Sequence, residues 1–175
     1  MNHILFLDFD GVINQGFGRW HRDLVLRLNE ITDETGAKIV IHSSWRYGRT
    51  LPTLRHVLSS PDLHIKPPPV VTGEILDVCD TPVWRRTPGG IWVDDDEWAS
   101  FKGDIATDHE RAIAIQRWLD VHGDTVERYI ILDDSLKLGH FVGTPEFINT
   151  ETRVGLTKKH VRQAVQHLQG GTRKA

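Results

Sequence analysis

Three stretches of this sequence end an apolar run in residues able to handle phosphate: Asp8-Phe9-Asp10-Gly11, His42-Ser43-Ser44 and Asp133-Asp134-Ser135. Asp8 and Asp10 stand two apart, so on extended backbone their carboxylates share one side while Phe9 points away into packing. With Asp133 and Asp134 nearby, this much negative charge needs a counterpart. Two carboxylates about 4 Å apart repel by about 4 kcal/mol at an effective dielectric of about 20. A hard divalent cation with oxygen ligands removes that penalty, and Mg²⁺ is the natural choice where a phosphate also coordinates. The chemistry implied is phosphoryl transfer. Carboxylates that merely cap helices or face solvent would explain one Asp pair, but not three strand ends of this kind.

The elements that must position these residues follow from hydrophobic patterning. Apolar runs ending in polar residues alternate with amphipathic stretches, the α/β signature. Residues 3–8 read as a strand buried on both faces, residues 21–34 as a helix closed by Gly36, and 38–42 as a second buried strand. Residues 50–59 read as a helix that tolerates Pro52 in its first turn. Pro67-Pro68-Pro69 breaks any helix, and 70–100 hold short β-like pieces, Val70-Val71 and Gly90-Ile91-Trp92-Val93. A helix over 108–122 buries Ala112, Ile113, Ile115, Trp118 and Leu119. Residues 129–132 form a third buried strand, Phe147-Ile148 begin a fourth, and Thr157 caps a last helix that runs to Gly170-Gly171. The tail 172–175 is expected to fray. In an open parallel sheet, ligands bind outside the carboxyl ends of the strands, so three polar strand ends belong to one site.

Composition sets the frame. The 175 residues suggest one domain, and 39% hydrophobic with 26% charged residues is an ordinary globular balance. No apolar run approaches the roughly 20 residues of a membrane span. The start lacks a basic region and a cleavage site, so no secretory signal is expected. Cys79 is the only cysteine. A cytoplasmic setting fits best, with Cys79 structural rather than reactive. The net charge of −3 gives no global case for nucleic-acid binding, so an anionic substrate must be drawn in by local basic residues.

On these residues the chain resembles the haloacid dehalogenase (HAD) superfamily of phosphohydrolases. Leu5 to Ile13 look like its first motif, Asp-x-Asp-Gly-Val after a hydrophobic strand. Ile39-Val40-Ile41-His42-Ser43 is similar to the second, and Ile130-Ile131-Leu132-Asp133-Asp134 to the acidic fourth. Ser43-Ser44-Trp45-Arg46 and Arg153-Val154-Gly155-Leu156-Thr157 further resemble the small phosphatase modules of RNA-repair proteins. The resemblance implies a three-layer, Rossmann-like α/β fold with a mainly parallel central sheet and a minimal cap. Asn14-Gln15-Gly16-Phe17-Gly18 would form a small flap, and residues 47–107 a modest substrate-covering insert.

The same resemblance implies roles. Asp8 is the nucleophile that forms an aspartyl-phosphate, and Asp10 the acid that protonates the leaving oxygen, then the base that activates water. Mg²⁺ is held by the Asp8 carboxylate, the Asp10 carbonyl and Asp134, with Asp133 in support and Gly11 against the substrate. Ser43 donates to a phosphoryl oxygen, with Ser44 the alternative by register. The third-motif cation is Arg111, which opens the helix before the last catalytic strand, in preference to Lys102.

Around that site, Arg46, Arg49, Arg55, Arg85 and Arg86 are candidates for binding the rest of a phosphorylated substrate, with Trp45 or Trp84 stacking a base. Each has a plainer reading as surface charge or core tryptophan, and Arg46 adjoins the site most closely. Asp94-Asp95-Asp96-Glu97 reads as a solvated loop. The ten histidines show no metal-ligand spacing and are expected mostly at the surface. A signalling receiver would place its accepting Asp on a middle strand, and a nucleotide kinase would need a G-x-x-x-x-G-K-[ST] loop. Neither pattern is here. A non-catalytic phosphate-binding module leaves the joint presence of Asp8, Asp10, Ser43 and Asp134 unexplained. The ranking is a phosphatase acting on nucleic-acid ends, then a mononucleotidase or other small-molecule phosphatase.

Overall fold

The computed structural model describes residues 1–15, 20–59, 70–80, 85–86, 92–93 and 110–170. The strands are β1 (Asn2–Leu7), β2 (Lys38–Ile41), β3 (Ile75–Val78), β4 (Arg85–Arg86), β5 (Trp92–Val93), β6 (Val126–Asp133) and β7 (Phe147–Asn149). The helices are α1 (Arg22–Thr35), α2 (Leu51–Ser59), α3 (Glu110–His122) and α4 (Lys158–Leu168). β1, β2, β3, β6 and β7 form one sheet in the order β3-β2-β1-β6-β7, and every pairing is parallel. β4 and β5 form a separate antiparallel pair.

Alternation along the strands divides the core. Leu5, Leu7, Ile39, Ile41, Ile130 and Leu132 face α1, α2 and α4, while Ile4, Phe6, Val40 and Ile131 face α3. This is the expected three-layer α/β fold. Both faces of the central strands are covered, which is why they read as continuous apolar runs. α1 stops at Gly36, whose φ of 65° is left-handed and whose N–H donates to Thr32 O at 2.8 Å.

Three expectations change. Val70 and Val71 are not in a strand; the edge strand is β3, four residues further on. Because β3 pairs with β2, and Leu54 and Leu58 of α2 are buried in the main core, the insert expected over 47–107 does not include these parts. Ile113 is 40% exposed rather than buried. Most of the expected flap, Lys102, Trp84, Asp94 to Glu97 and the tail 172–175 lie outside the described residues. Among the described residues, no helix is long and apolar enough to cross a membrane. Cys79 is buried, and burial pushes its thiol well above the ordinary value, as suits an unreactive packing residue.

The last helix begins in a capping box. The Thr157 hydroxyl accepts from His160 N at 3.3 Å, and His160 Nδ1 accepts from Thr157 N at 3.2 Å. Burial, then Lys159, hold His160 below its ordinary value and keep Nδ1 an acceptor. Thr157→Ala should cost about 1 kcal/mol, read as a lower urea midpoint with an unchanged slope.

Candidate active site

Register alone assembles the first part of the site. Phe6 pairs with Val40 on one side and with Ile131 on the other. Two residues further along each strand come Asp8, His42 and Asp133, on the α3 face of the sheet at its carboxyl edge. All three are buried. Arg111, in the first turn of α3, reaches down to them: its Nη1 donates to Asp8 Oδ2 and to Asp133 Oδ2, each at 3.0 Å. Burial works against the guanidinium charge, but Asp8 and Asp133 outweigh it and raise the Arg111 pKa further.

The two acidic groups respond oppositely. Burial, then the charge of Asp133, push the Asp8 carboxyl above its ordinary value, although Arg111, His42 and the Ser43 hydroxyl pull it down. Burial also raises Asp133, but His42, Arg111 and the Ser135 amide prevail and hold it below its ordinary value. Asp133 is therefore an ionised acceptor, and His42 Nε2, 2.9 Å from its Oδ2, carries the proton of that bond. Asp133 Oδ1 accepts from Ser135 N at 2.7 Å. Both its oxygens are thus taken by N–H groups. Asp8 Oδ1 is different: it is buried and has no hydrogen-bond partner.

That orphaned oxygen tests the fit of a cation. Carboxylate oxygens of Asp8, Asp133 and Asp134 lie within 4.8 Å of one another. A cation there would hold Asp8 ionised against burial, and the unpartnered Oδ1 leaves that carboxylate an oxygen to offer. The donor set is all oxygen, which suits Mg²⁺. Asp134 is fixed from outside by the Thr152 hydroxyl, which donates to its Oδ2. Gly11, at φ 73°, leaves room for it: a Cβ there would stand 2.2 Å from Asp134 Oδ2. A side chain at position 11 would therefore collide with this carboxylate.

Asp10 is half-buried, and both its oxygens are held. Asn14 Nδ2 donates to Oδ1 at 2.8 Å, and Trp45 Nε1 donates to Oδ2 at 2.9 Å. Ser43 is buried at the cap of a 3-10 turn, Ser44–Arg46, and its Oγ accepts from Trp45 N at 3.4 Å. Ser44 is half-buried in the same turn.

The substrate-facing expectations fare differently. Arg46 is fully buried: its guanidinium pairs with Glu110 and donates to the carbonyls of His42, Ser43 (3.1 Å) and Asp80 (3.3 Å). It is a structural tie, not a substrate ligand, because it has no exposed surface to offer. Arg55 binds the carbonyl of Ile75 at 2.7 and 2.9 Å, so it braces β3. Trp45 packs against Phe9 and Trp20, with Arg49 above its ring, which argues against base stacking. His42 is the exception, among the described residues, to histidines lying mostly at the surface. Strand alternation from Val40 would have placed it on the site's face, and the i+4 spacing from Asp10 would have pointed to Asn14. No local pattern marks Trp45, Glu110 or Thr152.

The chain matches the family model described as the HAD domain in Swiss Army Knife RNA repair proteins over residues 4–161. The chain belongs to this HAD family. No curated protein and no solved structure matches it. Membership makes the chain a HAD-type phosphatase domain, and the matched span contains Asp8, Asp10, Ser43, Arg111, Asp133 and Asp134. A groove of about 520 Å³ between α3 and the turn Gly139–Phe141 is lined by Ala112, Ile113, Gln116 and His140 among others, and by none of these acidic residues. In this HAD domain, chemistry locates the site better than volume does.

Proposed function

We propose that the domain is a Mg²⁺-dependent phosphatase that removes a terminal phosphomonoester from a nucleic-acid end through an aspartyl-phosphate on Asp8. The observation that carries the chemistry is Asp8 itself: one oxygen is clamped by Arg111, the other is buried without a hydrogen-bond partner, and its carboxylate clusters with those of Asp133 and Asp134. The nucleic-acid end comes from the description of the family, whose members are HAD domains in RNA repair proteins.

Asp8 attacks phosphorus, the bond to the leaving oxygen breaks, and that oxygen takes a proton from Asp10. A water then attacks the aspartyl-phosphate, Asp10 takes its proton, and phosphate leaves with Asp8 regenerated. Arg111 neutralises charge on Asp8 and the phosphoryl oxygens, and Ser43 donates to one of those oxygens. Asp8, Asp134 and the Asp10 carbonyl would hold Mg²⁺, with Asp133 supporting Arg111 through its bonds to His42 and Ser135. When bound, Mg²⁺ supplies charge neutralisation for the carboxylates and the phosphoryl group.

The test is turnover of 3′-phosphorylated oligonucleotides, 5′-phosphorylated oligonucleotides and mononucleotides side by side, with Mg²⁺ and with a chelator. Preference for one oligonucleotide end and loss of turnover in chelator are expected. Faster turnover of mononucleotides would overturn the nucleic-acid reading, and full activity in chelator would overturn the metal.

A further inference from the structure

We propose that Trp45, through its indole N–H, is a positioning residue that aims the Asp10 carboxyl at the leaving oxygen, with Asn14 as the second anchor. The inference rests on the reading of Asp10 as acid and base. An aspartate side chain has two torsions, so an unanchored acid spends much of its time aimed elsewhere. Here each carboxylate oxygen accepts one N–H, Asn14 Nδ2 on Oδ1 at 2.8 Å and Trp45 Nε1 on Oδ2 at 2.9 Å. A carboxylate oxygen has two acceptor sites, so each keeps one for a proton, and the anchors fix where it points. Neither donor carries a charge. They set direction without neutralising the group, as the transfer of a proton requires.

The indole is itself immobilised, which separates an anchor from a chance contact. Its ring lies 5.7 Å from Phe9 and 5.3 Å from Trp20 by centroids, with the Arg49 guanidinium 5.4 Å above it. Arg49 Nη1 also donates to Trp45 O at 2.8 Å. Phe9 directly precedes Asp10, so the ring packs on the backbone neighbour of the group it holds. Trp45 N donates to Ser43 Oγ at 3.4 Å. One turn thus carries both the hydroxyl assigned to the phosphoryl oxygen and the anchor of the acid, which fixes the distance between the two. Second sides are supplied by Asn14, which also accepts from Gly11 N through Oδ1 at 3.3 Å.

In the step concerned, the P–O bond breaks, its electron pair goes to the leaving oxygen, and the Asp10 proton follows. Acid help matters most when the leaving group is strongly basic. Trp45→Phe removes the N–H and keeps an aromatic ring against Phe9 and Trp20. The experiment measures kcat/KM for phenyl phosphate and p-nitrophenyl phosphate with the wild type, Trp45→Phe and Asp10→Asn. Trp45→Phe should lose about 10-fold more on phenyl phosphate than on p-nitrophenyl phosphate, the same direction as Asp10→Asn. An equal loss on both substrates would mean a merely structural role and would overturn the proposal, as would no loss at all. A flat Asp10→Asn profile would instead remove Asp10 as the acid, and the inference with it. Should Trp45→Phe not fold, Asn14→Ala deletes the other anchor and carries the same comparison.

Discussion

Asp8→Asn should lower phosphate release by about 10⁴-fold or more while leaving the protein at least as stable in metal-free buffer. The first half follows from the proposed nucleophile: an amide oxygen does not form the aspartyl-phosphate. The second half follows from the electrostatics of the site. Burial and Asp133 raise the Asp8 carboxyl above its ordinary value in the folded protein. The folded chain then binds this proton more tightly than the unfolded chain, so stability falls as pH rises through the interval between the two values. At a pH above that interval the ionised Asp8 is a destabilising group, and asparagine relieves it while still accepting from Arg111. Thermal unfolding of both proteins in chelator, beside a turnover assay, checks the two halves. Full turnover in the variant would remove Asp8 as nucleophile, and a marked fall in melting temperature would contradict the balance of charges.

Glu110→Ala should destabilise the domain by about 3–5 kcal/mol, because it leaves the Arg46 guanidinium buried without its carboxylate. That is a large share of the roughly 5–15 kcal/mol by which most domains are stable. Arg46→Met combined with Glu110→Ala should recover only part of the loss. The charge goes, but the carbonyls of His42, Ser43 and Asp80 lose their donor. Activity should fall in the folded fraction too. Glu110 immediately precedes Arg111, so the pair ties the start of α3 to the Ser43 turn and sets where Arg111 arrives. Tyr47 offers an internal readout. Burial first, then its bond to Glu110 Oε2 at 2.7 Å, push its phenol up to about 12. In Glu110→Ala the phenol should titrate lower, since burial then stands against the lowering charges of Arg46 and Arg111. Chemical denaturation and an ultraviolet titration measure both effects.

The sequence shows the fold wherever local pattern and tertiary role agree. β1, β2 and β6 are covered on both faces, so their apolar runs are unbroken and their polar ends stand out. Arg111 was reachable because a cation in the first turn of a helix before a catalytic strand has few other places to go, and its bonds to Asp8 and Asp133 give it that place. β3 is hard to see in the sequence for the opposite reason. It is a four-residue edge strand with Asp77 inside it, too short and too polar to stand out from the irregular stretch around it. The burial of Arg46 is invisible in the sequence because charge alone says nothing of burial. A partner sixty-four positions away decides that, and nothing near Arg46 announces Glu110. Trp45 suggested a stacking platform for a related reason: its ring chemistry is local, but its hydrogen bond to Asp10 spans two strands.

The position of β1 in the sheet also bears on how the chain is made. β1 lies between β2, which follows closely in sequence, and β6, which most of the chain separates from it. While the chain is being synthesised, β1 can pair with β2 early and must then wait with its other edge open, presenting Ile4, Leu5, Phe6 and Leu7. Such an apolar edge is a template for another chain until the late strand arrives. Parallel pairing across so long an interval is intrinsically slow to form. Asp133 ends the strand that closes the gap and Asp134 follows it, so completing the acidic cluster and protecting the nascent edge are the same folding event.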